Sequence, residues 1–254
     1  MIFCKTKLLS LSFSLLLQVG AGAAAPNDAP SPPKKLTQKL LWVLSQAFPK
    51  KASSPSDVPS ASDAPSSSPN KLTLLIIGDS LSAGYKIDPQ KSYPKLLETL
   101  LERKYPSTQT TIVNSSVSGS TSASAPGRLR QYASRFSPDA VLIALGSNDG
   151  LRGRPLKSMK KNLQQTIDLA QSMKMKIILA GMKIPTNYGQ RYQKQFGDVF
   201  KELADKNDLI FIPFLLKGVA MQSEYNLPDG IHPNEKGQKI MAETVMPYLE
   251  KLYQ

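Results

Sequence analysis

Leu72-Thr73-Leu74-Leu75-Ile76-Ile77-Gly78-Asp79-Ser80-Leu81-Ser82-Ala83-Gly84 sets a short aliphatic run directly against a glycine and a group of small polar residues. A continuous apolar run of this length, closed by turn residues, predicts a strand buried on both faces. Similar runs stand at residues 110–114, 140–145, 176–180 and 209–212. Between and after them, apolar positions recur at helical spacing in residues 93–104, 125–135, 156–173, 188–206 and 234–252. Five strands in alternation with helices predict an α/β fold: a three-layer α/β/α domain around a five-stranded parallel sheet, because right-handed crossovers place helices on both faces. Ligands in such domains gather beyond the carboxyl ends of the strands. Asp79-Ser80, Ser118-Gly119 and Asn148-Asp149 each follow a predicted strand, so three polar segments should converge on one edge of the sheet.

The periodic pattern begins at residue 71, which leaves roughly 180 residues for one folded domain, enough to be held by its own core. Upstream, Lys5 and Lys7 precede an apolar stretch at residues 8–17 and small residues at 21–25. That order reads as a secretory signal over residues 1–25, too short in its apolar part to span a bilayer, with cleavage expected after Ala23 or Ala24. Export to the periplasm or beyond follows. Cys4, the lone cysteine, lies ahead of the apolar core, so a mature protein without thiols or disulfides is expected.

Residues 26–70 are dominated by Pro, Ser, Ala and Asp and read as a linker. Within it, residues 34–51 carry Leu36, Leu40, Val43, Leu44, Ala47 and Phe48 near helical spacing, with lysines at both ends and the only tryptophan, Trp42. Two readings of this basic amphipathic segment stay open. It can make peripheral contact with an anionic membrane, or it can dock on the domain or remain partly disordered. The chain has 32 Lys and Arg against 19 Asp and Glu, a formal charge of +13. The basic residues are dispersed over helical segments with no nucleic-acid motif, so no nucleic-acid partner is expected and an anionic membrane surface suits the charge better. A monomer is expected.

The chain has one histidine, His232, in Asp229-Gly230-Ile231-His232-Pro233-Asn234. A neutral imidazole can take a proton from a serine hydroxyl, and a carboxylate can fix its tautomer and stabilise the imidazolium. Ser80, at a strand end where a helix begins, would meet unpaired N–H groups and the positive end of a helix dipole. Asp229 lies three residues before His232, within reach of the ring N–H. The same segments also fit plainer roles: a tight turn at residues 78–82, and a helix cap at Pro233-Asn234. An attacking serine creates an oxyanion that needs several donors aimed at one point. Candidates are the Ser80 N–H, the unobstructed N–H of Gly119 and the side-chain amide of Asn148.

Together the blocks Gly78-Asp79-Ser80-Leu81, Ser118-Gly119, Gly146-Ser147-Asn148-Asp149-Gly150 and Asp229-Gly230-Ile231-His232 resemble, in content and order, those of the SGNH (GDSL) hydrolases. Within that family the chain is similar to the periplasmic multifunctional acyl-CoA thioesterase I, lysophospholipase and arylesterase group, through Gly150-Leu151-Arg152-Gly153 and the segment starting at Pro185. The resemblance covers residues 72–253 and implies a flavodoxin-like SGNH hydrolase fold. It also implies Ser80 as nucleophile, His232 as base and then acid, Asp229 as orienting carboxylate, and Ser80, Gly119 and Asn148 as the oxyanion hole. By the same resemblance Ile184, Pro185, Thr186, Asn187, Tyr188 and Gly189 form a substrate-binding loop over the acyl chain. Asp79 would support the nucleophile turn by hydrogen bonding. Ser120 and Ser147 depart from the group, where aspartate and glycine are usual.

These readings lead to an exported carboxylic ester and thioester hydrolase acting through an acyl-serine intermediate, with no cofactor. A lone histidine and no mature cysteine leave no nitrogen- or sulfur-rich metal site. The rival expectations are a carbohydrate acetylesterase, which the same triad would serve, and a silent lipid- or envelope-binding module.

Overall fold

The computed structural model describes residues 70–254. The expected secretory signal, linker and basic segment at residues 34–51 lie outside the described residues.

Strand β1 (Asn70–Gly78) is followed by a short helix α1 (Ser80–Ala83), helix α2 (Tyr93–Lys104) and strand β2 (Thr108–Asn114). Helix α3 (Ala125–Phe136), strand β3 (Ala140–Ala144), a short helix α4 (Ser147–Leu151), helix α5 (Leu156–Ser172) and strand β4 (Lys176–Ala180) come next. Helix α6 (Gln190–Asn207), strand β5 (Ile210–Ile212) and helix α7 (Glu235–Leu249) complete the alternation. All neighbouring strands pair in parallel, in the order β2-β1-β3-β4-β5. Helices α2 and α7 pack on one another over one face; α3, α5 and α6 pack in succession over the other. The result is the three-layer α/β/α domain expected from the sequence.

The aliphatic run explains the centre of the sheet. Leu74, Leu75, Ile76 and Ile77 are all buried because β1 lies between two strands and under both helical layers. Each such side chain contributes about 1.5–3 kcal/mol through burial. Strand β2, at the edge, reads Thr-Gln-Thr-Thr-Ile-Val-Asn and is only partly buried. On the helices, Leu97 and Leu101 of α2, Met159, Leu163 and Ile167 of α5, and Phe196, Phe200 and Leu203 of α6 recur at intervals of three or four and close the core.

The boundaries differ from the sequence expectation by one to three residues at several ends, and three of the differences have a clear local reason. Strand β3 stops at Ala144, because the chain turns at Gly146, whose φ of 124° favours glycine and whose missing Cβ would lie 2.7 Å from Phe200 Cζ. Helix α6 begins at Gln190; Tyr188 belongs to a separate single turn, Thr186–Tyr188, broken by Gly189 at φ 86°. The last helix ends at Leu249 and tightens into a 3₁₀ turn, Glu250–Tyr253, after Pro247 has removed a backbone donor.

The sheet order changes direction on either side of β1: the chain goes from β1 outward to β2, then returns past β1 to β3. The crevice beyond the carboxyl ends of β1 and β3 is the place where such a fold receives a ligand.

Candidate active site

Ser80 is set by the turn that ends β1. The Asp79 carboxylate caps α1, accepting from the Leu81 N–H at 3.0 Å, and Gly84 closes the helix at φ 69°. A helix of four residues has little stability of its own, and here side chains from other elements hold it. Asn114 Nδ2 donates to the Ser82 carbonyl at 2.8 Å, and the Ser82 and Tyr93 hydroxyls share a hydrogen bond of 2.7 Å. Gln238 of α7 accepts from the Tyr93 N–H at 2.8 Å and donates to the Leu81 carbonyl at 3.1 Å. Arg128 of α3 completes the clamp. One guanidinium nitrogen donates to the Gly78 carbonyl at 2.9 Å and another to Ser120 Oγ at 2.7 Å, so a single side chain joins the Ser80 turn to the loop carrying Gly119.

His232 arrives from the loop before α7. The loop is folded on itself: Asn226 and Pro233 form an isolated antiparallel bridge, and the Leu227 N–H donates to the His232 carbonyl at 2.7 Å. Asp229 Oδ1 accepts from the N–H groups of Ile231 (3.1 Å) and His232 (3.0 Å). Its Oδ2 is 2.9 Å from His232 Nδ1, and His232 Nε2 is 3.0 Å from Ser80 Oγ. The three side chains therefore form one continuous hydrogen-bonded row. The Tyr85 ring lies against the imidazole with centroids 4.4 Å apart. Asn234, just beyond, caps α7 by accepting from the Gly237 N–H at 3.1 Å, so the capping role and the placement of His232 coexist.

Gly119 and Asn148 line the same cavity from two other segments. Gly119 has φ 77°, and the only heavy atom near its absent Cβ is an Arg152 nitrogen at 3.5 Å, so its backbone stands open toward the cavity. Asn148 lies in α4; its Nδ2 is 3.3 Å from Asp79 Oδ2, and Arg152 donates to its Oδ1 at 3.4 Å. The next residue, Asp149, is buried and takes both the N–H and the hydroxyl of Ser122, at 2.8 and 2.7 Å, tying α4 to the Gly119 loop.

Two carboxylates near Ser80 are displaced in opposite directions. Burial pushes the Asp79 carboxyl up to about 6, against the partial opposition of its bonds from Leu81 and Asn148. Slight burial raises Asp229 as well, but the hydrogen bonds from the His232 ring and the Ile231 and His232 amides outweigh it and hold this carboxyl below its ordinary value. An ionised Asp229 keeps the proton on Nδ1 and leaves the Nε2 lone pair facing Ser80 Oγ, the arrangement needed to accept the hydroxyl proton.

A cavity of about 460 Å³ opens beside Ser80. Ser80, Gly119, Asn148 and His232 lie on its wall, with Ser147 beside them. Of the segment expected to cover an acyl chain, Ile184 and Pro185 line the cavity. Thr186, Asn187, Tyr188 and Gly189 do not: they form the outer turn, and the Tyr188 hydroxyl donates to the Leu151 carbonyl at 2.9 Å. The opposite wall, Phe214, Leu216, Ala220 and Met221, follows β5 and was not anticipated. Its signal was present, since this segment too leaves a predicted strand at its carboxyl end. Arg128 was also missed. On an amphipathic helix it reads as an ordinary surface charge.

Among the described residues, no group of three His, Cys, Asp or Glu side chains is placed to hold a metal ion. None of their helices is long and apolar enough to cross a membrane.

Comparison with known proteins agrees with this fold. The sequence model of the GDSL-like lipase/acylhydrolase family matches residues 76–240. The arylesterase of Vibrio mimicus is 40% identical over 179 residues, covering 70% of this chain and 88% of the relative. Thioesterase 1/protease 1/lysophospholipase L1 of Escherichia coli K12 is 35% identical over 180 residues, covering 71% and 84%. The crystal structure of TesA superposes with a TM-score of 0.68 at 36% identity, over 71% of this chain and 99% of that one. With sequence, fold and the four converging segments in agreement, the chain belongs to the GDSL-like lipase/acylhydrolase family.

Proposed function

We propose that this protein is an exported hydrolase of carboxylic esters and thioesters that works through an acyl-serine intermediate, with residues 71–254 as the catalytic domain. The observation that carries the reading is the row Asp229–His232–Ser80, with links of 2.9 and 3.0 Å, at the wall of a cavity whose lining is mainly apolar. Family membership and the names of the relatives, arylesterase and thioesterase/lysophospholipase, support the same chemistry.

Ser80 Oγ attacks the acyl carbonyl while His232 Nε2 takes its proton. The negative charge that develops on the carbonyl oxygen is received by the Ser80 and Gly119 N–H groups and by Asn148 Nδ2, which cost no reorganisation at that moment because their loops are already tied together. As the tetrahedral species collapses, the bond to the leaving oxygen or sulfur breaks and His232 gives that atom the proton. Water then attacks the acyl carbonyl with His232 again as base, the bond to Ser80 Oγ breaks as His232 returns the proton to that oxygen, and the free acid departs. Asp229 stabilises the imidazolium throughout without accepting the proton.

Ile184, Pro185, Phe214, Leu216 and Met221 give the cavity an apolar wall that suits an acyl chain. Fatty acyl esters, including lysophospholipids, together with acyl thioesters and aryl esters, are the substrates assigned to it. A chain-length series of p-nitrophenyl esters tests this assignment. Turnover should persist or rise from acetate to medium chains. Strong preference for acetate, with little activity on longer chains, would replace it with the carbohydrate acetylesterase reading.

A further inference from the structure

Seven large apolar side chains are exposed among the described residues; Leu100, Phe136 and Met173, at 37–39%, stand apart, while the three most exposed and one other gather in one place. Val117 is 54% exposed, Met221 87%, Ile231 51% and Tyr188 37%. All four stand at the carboxyl edge of the sheet: Met221 and Ile231 line the cavity itself, Val117 precedes its Ser118 and Gly119, and Tyr188 is bonded to its Leu151. Met221 is the most exposed of them, and its backbone sits at φ 62°, a region that L side chains rarely adopt. The buried Asn226 amide holds that turn by donating to the carbonyls of Val219 (2.7 Å) and Gln222 (2.8 Å). A thioether is thus fixed outward at the expense of backbone strain.

Charge around the same mouth is on balance positive. Lys86, Arg152, Lys183 and Lys217 are exposed there, and none has a carboxylate within 4.0 Å among the described residues. The carboxylates on this edge are engaged: Asp88 caps the Pro89–Lys91 turn, Asp229 is bound by His232, and Glu224 pairs with Lys236 at 3.1 Å.

We propose that the mouth of the cavity is a docking face for an anionic lipid surface, with Val117, Met221, Ile231 and Tyr188 entering the interface and the four cations meeting the headgroups. The inference rests on the acyl-hydrolase reading and extends it by naming where the substrate comes from. Apolar tips rimmed by cations fit the boundary between headgroups and acyl chains. The position selects among occupants. Whatever covers this rim covers the entrance, and a lipid layer is a cover that also feeds an acyl ester into the cavity. A second copy would set like charges against each other, and a nucleic acid would leave the apolar tips unmatched.

The test uses the full chain with Cys4→Ser, carrying a polarity-sensitive fluorophore on Val117→Cys or, as control, on Met173→Cys. Met173 is 39% exposed but caps the end of α5 ahead of β4, on the opposite edge. Phosphatidylglycerol vesicles should shift emission to the blue at position 117 and leave 173 unchanged, and phosphatidylcholine vesicles should shift neither. Each cation at an anionic leaflet contributes about fivefold to partitioning, so Lys86→Gln with Lys217→Gln should weaken vesicle binding by about 25-fold. No shift at 117, equal shifts at both sites, or undiminished binding of the double variant would overturn the proposal; binding through residues 34–51 alone would give the first of these. Turnover of a soluble short-chain ester by the unlabelled full chain reads the hydrolase assignment separately. Turnover without docking removes only the lipid face, whereas docking without turnover removes the hydrolase reading.

Discussion

Asp79 and Asp229 lie on opposite sides of Ser80, and their surroundings make them different acids. Asp79 is fully buried at the end of β1, on a turn clamped by Arg128, Asn114, Tyr93 and Gln238, and is pushed up to about 6. Asp229 is on an exposed loop, bonded mainly to its own neighbours and to the imidazole, and is held below the ordinary carboxylate range. Adjacency in sequence to the nucleophile therefore does not mark the carboxylate that serves the histidine. The useful one is the one within hydrogen-bond reach of the imidazole Nδ1, and local amides and the ring hold it ionised well below working pH.

Removing the charge from each in turn should separate them most widely. Asp229→Asn should lower kcat by roughly 10⁴, by analogy with the loss of the orienting carboxylate in other serine hydrolases, while the thermal unfolding curve stays near wild type. Asp79→Asn should keep turnover within about tenfold. Equal losses in the two variants would break the distinction.

The donors on the buried side come next in size. Asn148→Ala should lower kcat by about 10²–10³ with little change in KM, because the lost interaction belongs to the oxyanion and not to the bound ester. Arg128→Met removes the donor to Ser120 Oγ and leaves the Gly78 carbonyl with the Val117 N–H (3.2 Å), and should cost about 1–3 kcal/mol of stability in denaturant unfolding. An unchanged midpoint would show that the clamp does not hold the turn.

The last effect is a pH dependence of stability. A carboxyl raised in the folded state favours its neutral form there, so its contribution to stability is greatest below the ordinary value of 3.8 and is lost as pH rises toward about 6. At pH 7 ionised Asp79 costs on the order of 3 kcal/mol relative to a solvated carboxylate. Asp79→Asn has no such charge to bury. Its stability relative to wild type should increase between pH 4 and 7 in thermal melts, and a constant difference across that range would contradict the burial argument.

The same contrast explains what could be read from the chain. Strand β1 was legible because a strand buried on both faces must be apolar throughout, and the residues at its carboxyl end fall at the crevice by topology. His232 was legible because it has no competitor. A helix start at Ser80 was legible from the strand-to-turn junction, but the helix at Ser147–Leu151 was not, since five residues are too few to show a period. Arg128 is 48 residues from Ser80, and only folding brings its guanidinium under the turn. Of the six residues expected to cover the acyl chain, Ile184 and Pro185 face the cavity, while Tyr188 turns outward to Leu151.

The central claim is that Ser80 alone carries the acyl group, activated by His232. A fluorophosphonate probe followed by intact-mass and peptide mass spectrometry reads it directly. The expected result is one adduct, on Ser80, in the wild-type protein, no adduct in Ser80→Ala, and labelling slowed by orders of magnitude in His232→Ala. An adduct on another residue, or labelling of His232→Ala at the wild-type rate, would contradict it.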